Sequence, residues 1–304
     1  MKYWVTYPLV KHPYDAAFVT KDALTRFAQA AEAAGFDGIG FTDHPAPTDR
    51  WLKAGGHDAL DPFAALAFVA AVTERIRLIP NIVVLPYRNP FIVAKAVATI
   101  DALSGGRFTL STAVGYMKAE YRAVGVDFDT RNDVFDEAVR ALKGVWSTDN
   151  FVFEGSTFSA VGQTANPKPA RVPIWVGGNG ARARQRVADF GDGWNPFPAP
   201  ATLAATAKTT VLETTEDLSL LLDDLWRRVE GAGRDRAEID VSFMTHSGGA
   251  PGTPSFDPYA HLDGLAELAA IGVTWNGVGV PGDSVGHAVE TLEQYGKEII
   301  ARLT

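Results

Sequence analysis

The sequence predicts an α/β fold, a (β/α)8 TIM barrel with insertion segments, and three observations lead to this prediction. Eight short apolar runs occur along the 304 residues, a helical pattern follows each of them, and no Gly-x-Gly-x-x-Gly turn follows the first. Repeated βα units indicate a parallel sheet, and eight of them favour closure into a barrel. The missing glycine turn argues against the structural alternative, an open dinucleotide-binding sheet.

The predicted strands are the apolar runs, and the predicted helices are the segments in which apolar residues recur with a helical period. The strands are expected at 3–7, 38–41, 76–85, 108–114, 174–176, 193–195, 239–244 and 273–280. The helices are expected at about 21–34, 62–73, 90–103, 131–146, 181–190, 218–231, 258–270 and 283–302.

The third predicted strand and the helix after it show how these elements are recognised. Pro80 and Asn81 interrupt the run at 76–85. Proline lacks the N–H that a central strand needs, so a bulge or local distortion is expected there. The following helix ends at the pair Gly105-Gly106, because glycine favours the backbone that terminates a helix.

Two further stretches are irregular, but neither divides the chain. The segment at about 147–173 is rich in Gly, Pro, Ser and Thr, contains strand-like residues at 151–153, and is predicted to be an insertion between strands four and five. The stretch at 199–217 is expected to be a second mobile segment. Because no long linker is present, residues 1–304 are predicted to form a single barrel domain.

Composition excludes several classes of protein. The net charge is −8 and the pI is near 5.3, which argues against nucleic-acid binding, since that calls for clustered Lys and Arg. No apolar stretch approaches the roughly 20 residues that span a bilayer, so no membrane association and a cytoplasmic location are expected. The chain has no cysteine, so its chemistry cannot use thiolates or cysteine-ligated metals.

An acid and an imidazole follow the second predicted strand. Active sites of such barrels lie at the carboxyl ends of the strands, which places Asp43 and His44 at the barrel mouth. His44 could donate or accept a proton near neutral pH, while Asp43 could hydrogen-bond a cofactor, orient His44 or merely cap the loop. A metal site that adds His246 from across the barrel is a weaker alternative.

The fifth predicted strand ends in a glycine-rich turn that opens into a helix. Gly177, Gly178, Asn179 and Gly180 form this turn, and Arg182 and Arg186 follow it in the first turns of the helix, four residues apart. Exposed N–H groups and the helix dipole favour an anion at such a helix start, and arginines can add cationic contacts. The sequence therefore predicts a phosphate site here, although tight turns also use glycine for steric reasons alone.

Aromatic groups are expected beside the same mouth. Gly115 and Tyr116 follow the fourth predicted strand, and Trp194 ends the sixth. They could line a site for a planar ligand, or the aromatic rings could pack in the core.

Several segments together resemble the bacterial luciferase-like flavin and deazaflavin oxidoreductase family, and most closely its branch that uses coenzyme F-420, an 8-hydroxy-5-deazaflavin. These segments are Ala34-Gly35-Phe36-Asp37-Gly38-Ile39, Asp43-His44, Asn89-Pro90, Ala94-Lys95, Leu103-Ser104-Gly105-Gly106-Arg107, Pro173-Ile174-Trp175-Val176-Gly177-Gly178 and Gly191-Asp192-Gly193-Trp194.

The resemblance implies specific roles. A non-proline cis peptide that supports the cofactor ring is expected at Ile82-Val83, Asp43 near the reactive centre, and His44 as an acid or base. The turn from Gly177 to Gly180 is expected to hold the cofactor phosphate. One departure is notable: some deazaflavin dehydrogenases have a glutamate where this chain has Tyr116, and its next acid is Glu120.

The expected function is hydride transfer between F-420 and a small organic substrate, with His44 or Tyr116 handling the proton. An FMN-dependent monooxygenase that uses reduced flavin and O2 is the alternative. A non-catalytic flavin binder and a metal-dependent barrel hydrolase are two further alternatives. The resemblance also implies a homodimer, and a separate reductase or dehydrogenase that regenerates the cofactor is expected.

Overall fold

The computed structural model describes residues 1–9 and 11–303, which form the predicted (β/α)8 TIM barrel. Nine parallel strands build the barrel sheet, and two more form a hairpin outside it. The eleven strands are β1 (Lys2–Thr6), β2 (Gly38–Gly40), β3 (Arg77–Leu78), β4 (Val83–Val84), β5 (Leu110–Ala113), β6 (Phe151–Glu154), β7 (Ser159–Gln163), β8 (Ile174–Gly177), β9 (Gly193–Asn195), β10 (Asp240–Phe243) and β11 (Trp275–Val278).

The third barrel strand is divided into two parts, as the interruption at Pro80 and Asn81 predicts. Its first part, β3, pairs with β2, and its second part, β4, pairs with β5. The barrel closes at Leu78, whose N–H donates to the carbonyl of Arg107 at 2.9 Å and whose carbonyl accepts from the N–H of Thr109 at 3.0 Å. Between the two parts, the backbone N–H groups of Ile79 and Asn81 donate to the carbonyls of Ile39 and Phe41 at 2.9 and 2.8 Å, so the break stays bonded to the β2 side.

Helices alternate with the barrel strands at all the predicted positions, and several are preceded by side chains that cap their free N–H groups. For example, Asn89 accepts from the N–H of Phe91, and Pro90 follows in the first helical position. The helices are α1 (Lys21–Ala33), α2 (Asp49–Lys53), α3 (Pro62–Val72), α4 (Pro90–Leu103), α5 (Lys118–Ala123), α6 (Arg131–Ser147), α7 (Ala181–Phe190), α8 (Ala201–Ala207), α9 (Thr215–Gly231), α10 (Pro258–Ala270), α11 (Val285–Tyr295) and α12 (Ala301–Leu303).

Three of these helices were not predicted. The short helices α2, α5 and α8 follow β2, β5 and β9 at the carboxyl end of the barrel. A π-helical turn, Gly296–Ile300, joins α11 to α12. No helix in the described ranges is long and apolar enough to cross a membrane.

The segment predicted to be an insertion, 147–173, contains the antiparallel hairpin of β6 and β7. The carboxylate of Glu137, on α6, accepts hydrogen bonds from the backbone N–H groups of Ser156, Thr157 and Phe158 in the hairpin loop. These bonds fix the hairpin to the outside of the barrel. That residues 1–304 form one domain stays a prediction.

Large aromatic side chains fill the barrel interior. Trp4, Trp175 and Trp275 form a buried cluster with Ile79. Glycines on neighbouring strands make room for the indole rings: a Cβ atom at Gly193 would overlap the ring of Trp175. The interior is therefore a packed core, and the open space lies above it, at the carboxyl ends of the strands.

Candidate active site

A cavity of about 580 Å³ opens at the carboxyl ends of the barrel strands. Most of the residues that the sequence singles out line it. These are Asp43, His44, Ile82, Gly115, Tyr116, Gly177, Gly178, Gly180, Arg182 and Arg186. The strand ends place them in one site because parallel strands all finish at the same edge of the barrel.

The side chain of His44 pairs with Glu120, a residue that no sequence pattern marks as part of the site. The Nδ1 atom of His44 lies 3.1 Å from Oε2 of Glu120, whose side chain is fully buried. The second carboxylate oxygen accepts from the backbone N–H of Ala46 at 3.2 Å. No described residue hydrogen-bonds Nε2 of His44, so the carboxylate orients the ring and leaves that nitrogen available to a ligand.

Two tyrosines extend this polar group. The hydroxyl of Tyr87 donates to Oε2 of Glu120 at 3.3 Å. Burial raises the pKa of Tyr87 well above its ordinary value, and the negative charge of Glu120 raises it further. Burial, followed by the same charge, also raises the pKa of Tyr116. Both phenols therefore stay protonated at neutral pH and can serve as hydrogen-bond or proton donors.

Asp43 is held by Arg88 and does not orient His44. The guanidinium of Arg88 donates to both carboxylate oxygens, at 2.6 and 2.8 Å, and the backbone N–H of Val84 donates at 2.8 Å. This bidentate pair ties the loop after β2 to the end of β4. Three roles were expected for Asp43. The prediction that it orients His44 is wrong, because Glu120 forms the hydrogen bond to the imidazole.

Two aromatic side chains pack against His44, one from α2 and one from the loop between α2 and α3. The rings of Trp51 and His57 have centroids 4.6 and 4.9 Å from that of His44. Burial lowers the pKa of His57 below its ordinary value. A neutral imidazole and an indole thus restrict the movement of His44.

The break in the third strand forms another part of the cavity wall. Ile82 and Val84 contribute apolar surface, and Asn81 accepts a hydrogen bond from the side-chain amide of Asn195 at 3.1 Å. The non-proline cis peptide joins Asn81 to Ile82, one residue before the expected Ile82-Val83 position. Val83 is fully buried and does not line the cavity, because successive side chains of a strand alternate and Val83 packs in the main core while Val84 faces the cavity.

The glycine turn after β8 has the predicted form. Gly178 has a φ of +108°, and Gly180 precedes the first residue of α7 without offering a side chain to cap it. The first N–H groups of a helix have no partner within the helix, so they remain available to an anion. A Cβ atom at Gly180 would project into open space, which leaves room for a ligand.

Two residues near this turn do not line the cavity. The buried amide of Asn179 donates to the carbonyls of Phe197 and Thr210 and accepts from the N–H of Phe197. The indole N–H of Trp194 donates to the carbonyl of Gly178 at 2.9 Å. The expectation that Asn179 and Trp194 contact a cofactor is corrected, because neither lines the cavity. Their hydrogen bonds hold the glycine turn in place.

The two arginines expected to bind the anion are paired with carboxylates. Arg182 lies 2.6 Å from Asp133 and 2.7 Å from Asp136, and the hydrogen bond to Asp133 is the main cause of its raised pKa. Arg186 also pairs with Asp136. They join α7 to α6, and this structural role was not visible in a sequence where Asp133 lies 49 positions away.

The described part of the chain offers little support for a metal centre. His246 does not line the cavity. Within residues 1–9 and 11–303, no group of three His, Asp or Glu side chains is placed to hold a metal ion. The hydrolase alternative therefore loses its proposed set of ligands.

A (β/α)8 barrel with a buried imidazole–carboxylate pair, an apolar wall and a helix start at one mouth fits the class of cofactor-dependent redox enzymes. The model of the luciferase-like monooxygenase family matches residues 3–247, and the chain belongs to this family. Its members are oxidoreductases and monooxygenases that depend on F-420 or FMN, and this protein is accordingly an oxidoreductase of that family.

Relatives of both cofactor types are similar to the chain. An FMNH2-dependent dimethylsulfone monooxygenase of Pseudomonas putida is 33% identical over 54% of this chain and 46% of its own length. An F420-dependent glucose-6-phosphate dehydrogenase of Kineococcus radiotolerans is 32% identical over 71% of this chain and 61% of its own length. The chain thus spans less than two thirds of either relative.

A solved structure supports the fold. The monooxygenase RslO1 from Streptomyces bottropensis superimposes with a TM-score of 0.83 over 100% of both chains, at 18% sequence identity. The likeness extends over the entire barrel, including the segments that surround the cavity.

Proposed function

We propose that the protein is an F-420-dependent oxidoreductase that transfers a hydride between the deazaflavin and a small organic substrate. The observation that carries the proposal is the His44–Glu120 pair, which presents a free imidazole nitrogen to a cavity with an apolar wall. This arrangement supplies a proton donor or acceptor beside a surface suited to a flat ring.

The residues present fit such a cofactor. The volume of about 580 Å³ lies within the usual range of cofactor sites, roughly 300–1,000 Å³. Ile82 and Val84 would contact a ring system, and the start of α7 at Gly180 would receive a phosphate.

When bound, the deazaflavin supplies the hydride chemistry, and the protein supplies position and protons. Nε2 of His44 would give a proton to the substrate atom that becomes basic, or remove it in the reverse direction. Glu120 would hold the proton on Nδ1 throughout. Tyr116, kept protonated by its buried position, would donate a hydrogen bond to a substrate oxygen from the neighbouring wall.

A second candidate function is an FMN-dependent monooxygenase that uses reduced flavin and O2. The similarity to the dimethylsulfone monooxygenase supports it. The same cavity would then exclude water from the reacting flavin, and the proton donors would act on the oxygenated product.

Direct titration separates the two candidates. The purified protein is titrated with F-420 and with FMN, each oxidised and reduced, while its fluorescence and absorbance are followed. The proposal expects submicromolar to micromolar binding of F-420 and no substrate-dependent consumption of O2. Preferential binding of FMN, with O2 consumed in step with substrate, would establish the second candidate, and binding of neither would reject both.

The proposed reaction calls for a substrate and for a means of regenerating the cofactor, whereas the proposed dimer is based on the family resemblance alone. We infer a small-molecule substrate, a separate enzyme that regenerates the cofactor, and a homodimeric protein in the cytoplasm, without nucleic-acid or membrane partners. Analytical ultracentrifugation at micromolar concentrations tests the dimer, and a sedimenting species of 32.6 kDa would refute it.

A further inference from the structure

Three positively charged side chains converge on one aromatic ring at the edge of the cavity. The guanidinium carbon of Arg131 lies 3.8 Å from the centroid of Phe128, and Nζ of Lys118 and Nζ of Lys208 each lie 5.8 Å from it. They come from the starts of α5 and α6 and from the residue that ends α8. The three are therefore brought together only by the folded barrel mouth.

None of the three cations forms an ion pair with any residue the structure describes. By contrast, Arg182 and Arg186, on the neighbouring wall, both pair with carboxylates. Arg131 and Lys208 line the cavity directly. The free positive charge at this mouth thus belongs to the cluster at Phe128 and not to the arginines of α7.

Arg131 is the fixed member of the cluster. It donates from Nη1 to the carbonyl of Phe128 at 2.8 Å, and its Nε atom is buried without a hydrogen-bond partner. The hydrogen bond and the ring contact hold the guanidinium in place at the edge of the cavity, which Arg131 lines. Lys118 and Lys208 are exposed and have flexible side chains that can turn towards the same acceptor.

The electrostatics favour an anion at this place. Like charges gathered near one ring repel one another, and a negative group between them removes the repulsion. The chain as a whole carries a net charge of −8, so the cluster is a local exception that a general excess of lysine and arginine does not explain.

We propose that Lys118, Arg131 and Lys208 form an anion-binding site for a phosphate or carboxylate group of a ligand in the cavity, distinct from the glycine turn before α7. The proposal rests on the proposed function in one respect, that the ligand is the cofactor or the substrate of that reaction. A cofactor tail and an acidic substrate would offer the same chemistry, and the experiment distinguishes them.

The test uses a double variant that removes two charges and keeps the packing of Arg131. Lys118→Gln is combined with Lys208→Asn, because Lys208 has a φ of 51° and asparagine tolerates this left-handed backbone. The matched control is Lys21→Gln combined with Lys297→Gln, two exposed lysines away from the cavity. Dissociation constants are measured for FMN and riboflavin, for F-420 and its form without the phosphate tail, and for inorganic phosphate.

If the site holds the cofactor tail, the double variant weakens binding of the tail-bearing cofactor by about tenfold at low salt and leaves the tail-free form unchanged. If it holds the substrate, cofactor binding is unchanged, while inorganic phosphate binds the cofactor-loaded double variant about tenfold more weakly than the wild type. Equal constants for all ligands in the double variant, the control and the wild type overturn the proposal.

Failure of this site is distinguishable from failure of the proposed function. Ring binding, reported by riboflavin and the tail-free deazaflavin, does not depend on the cluster. A wild-type protein that binds neither ring refutes the proposed function, and titration with inorganic phosphate still decides whether the cluster is an anion site.

Discussion

The barrel interior and the barrel mouth are built on different principles. Inside, Trp4, Trp175 and Trp275 fill the space by shape, against glycines and apolar side chains. At the mouth, buried or half-buried ionisable groups are held by hydrogen bonds, as in the pairs His44–Glu120 and Asp43–Arg88. The interior is therefore specified by shape, while the polar pairs at the mouth position the groups that face a ligand and also contribute to stability.

Replacing His44 should separate activity from stability most clearly. We expect His44→Asn to lower kcat/KM for hydride transfer by about 10² to 10⁴, the usual contribution of a positioned acid or base. The melting temperature should stay within a few degrees of the wild type. Wild-type rates at every pH would remove His44 from the mechanism, and His246→Asn, at an exposed histidine outside the cavity, is the matched control.

Asp43 tests whether the charged mouth also stabilises the fold. Asp43→Asn leaves the guanidinium of Arg88 without its bidentate partner, and we expect a loss of about 3 kcal/mol in the free energy of unfolding. Asp61→Asn is the control, since its contact with Arg88 is longer, at 3.4 Å, and exposed, and should cost at most about 1 kcal/mol. Equal losses in urea unfolding would contradict this account.

Gly193 tests the packed interior. A Cβ atom there would overlap the fully buried ring of Trp175, so Gly193→Ala should lower the free energy of unfolding by about 1–3 kcal/mol. Gly231→Ala is the control, because nothing lies near its Cβ position. Cofactor affinity of the remaining folded protein should be unchanged, and a variant as stable as the wild type would show that the interior is less tightly packed than described.

The smallest expected effect is on the pH dependence of the free energy of unfolding, and it arises from His57 at the mouth. Burial lowers the pKa of His57 in the folded protein, so the unfolded chain binds its proton more readily. Stability should therefore fall as the pH drops below the ordinary histidine pKa of about 6.5, and the loss is complete below the lowered value. His57→Asn should flatten the stability curve between pH 7.5 and 5, whereas His246→Asn should not. If the free energy of unfolding of His57→Asn changes with pH as steeply as that of the wild type, His57 is not the source of the pH dependence.

Much of the fold could be predicted from the sequence because its signals are local. Apolar runs indicate each strand, and Pro80 marks the break in the third one. His44, Tyr116 and the turn from Gly177 to Gly180 could be assigned to the mouth because each directly follows a strand.

The partners of these residues could not be predicted in the same way. Glu120 lies on α5, a helix too short to give a periodic signal, and it meets His44 across 76 positions. Lys208 ends another short helix, α8. The carboxylates that pair with Arg182 depend on how α6 packs beside α7. Such contacts are set by the arrangement of helices, which no local pattern encodes.

The indole-filled interior has a kinetic consequence. Because the indoles of Trp4, Trp175 and Trp275 pack below the cavity, we expect ligands to reach the imidazole of His44 from the carboxyl ends of the strands. A cofactor and a substrate that stack in this cavity would not exchange independently. The ligand nearer the indoles would bind first and dissociate last. Steady-state measurements should accordingly show a compulsory order of addition, with the upper ligand trapping the lower one at saturating concentrations.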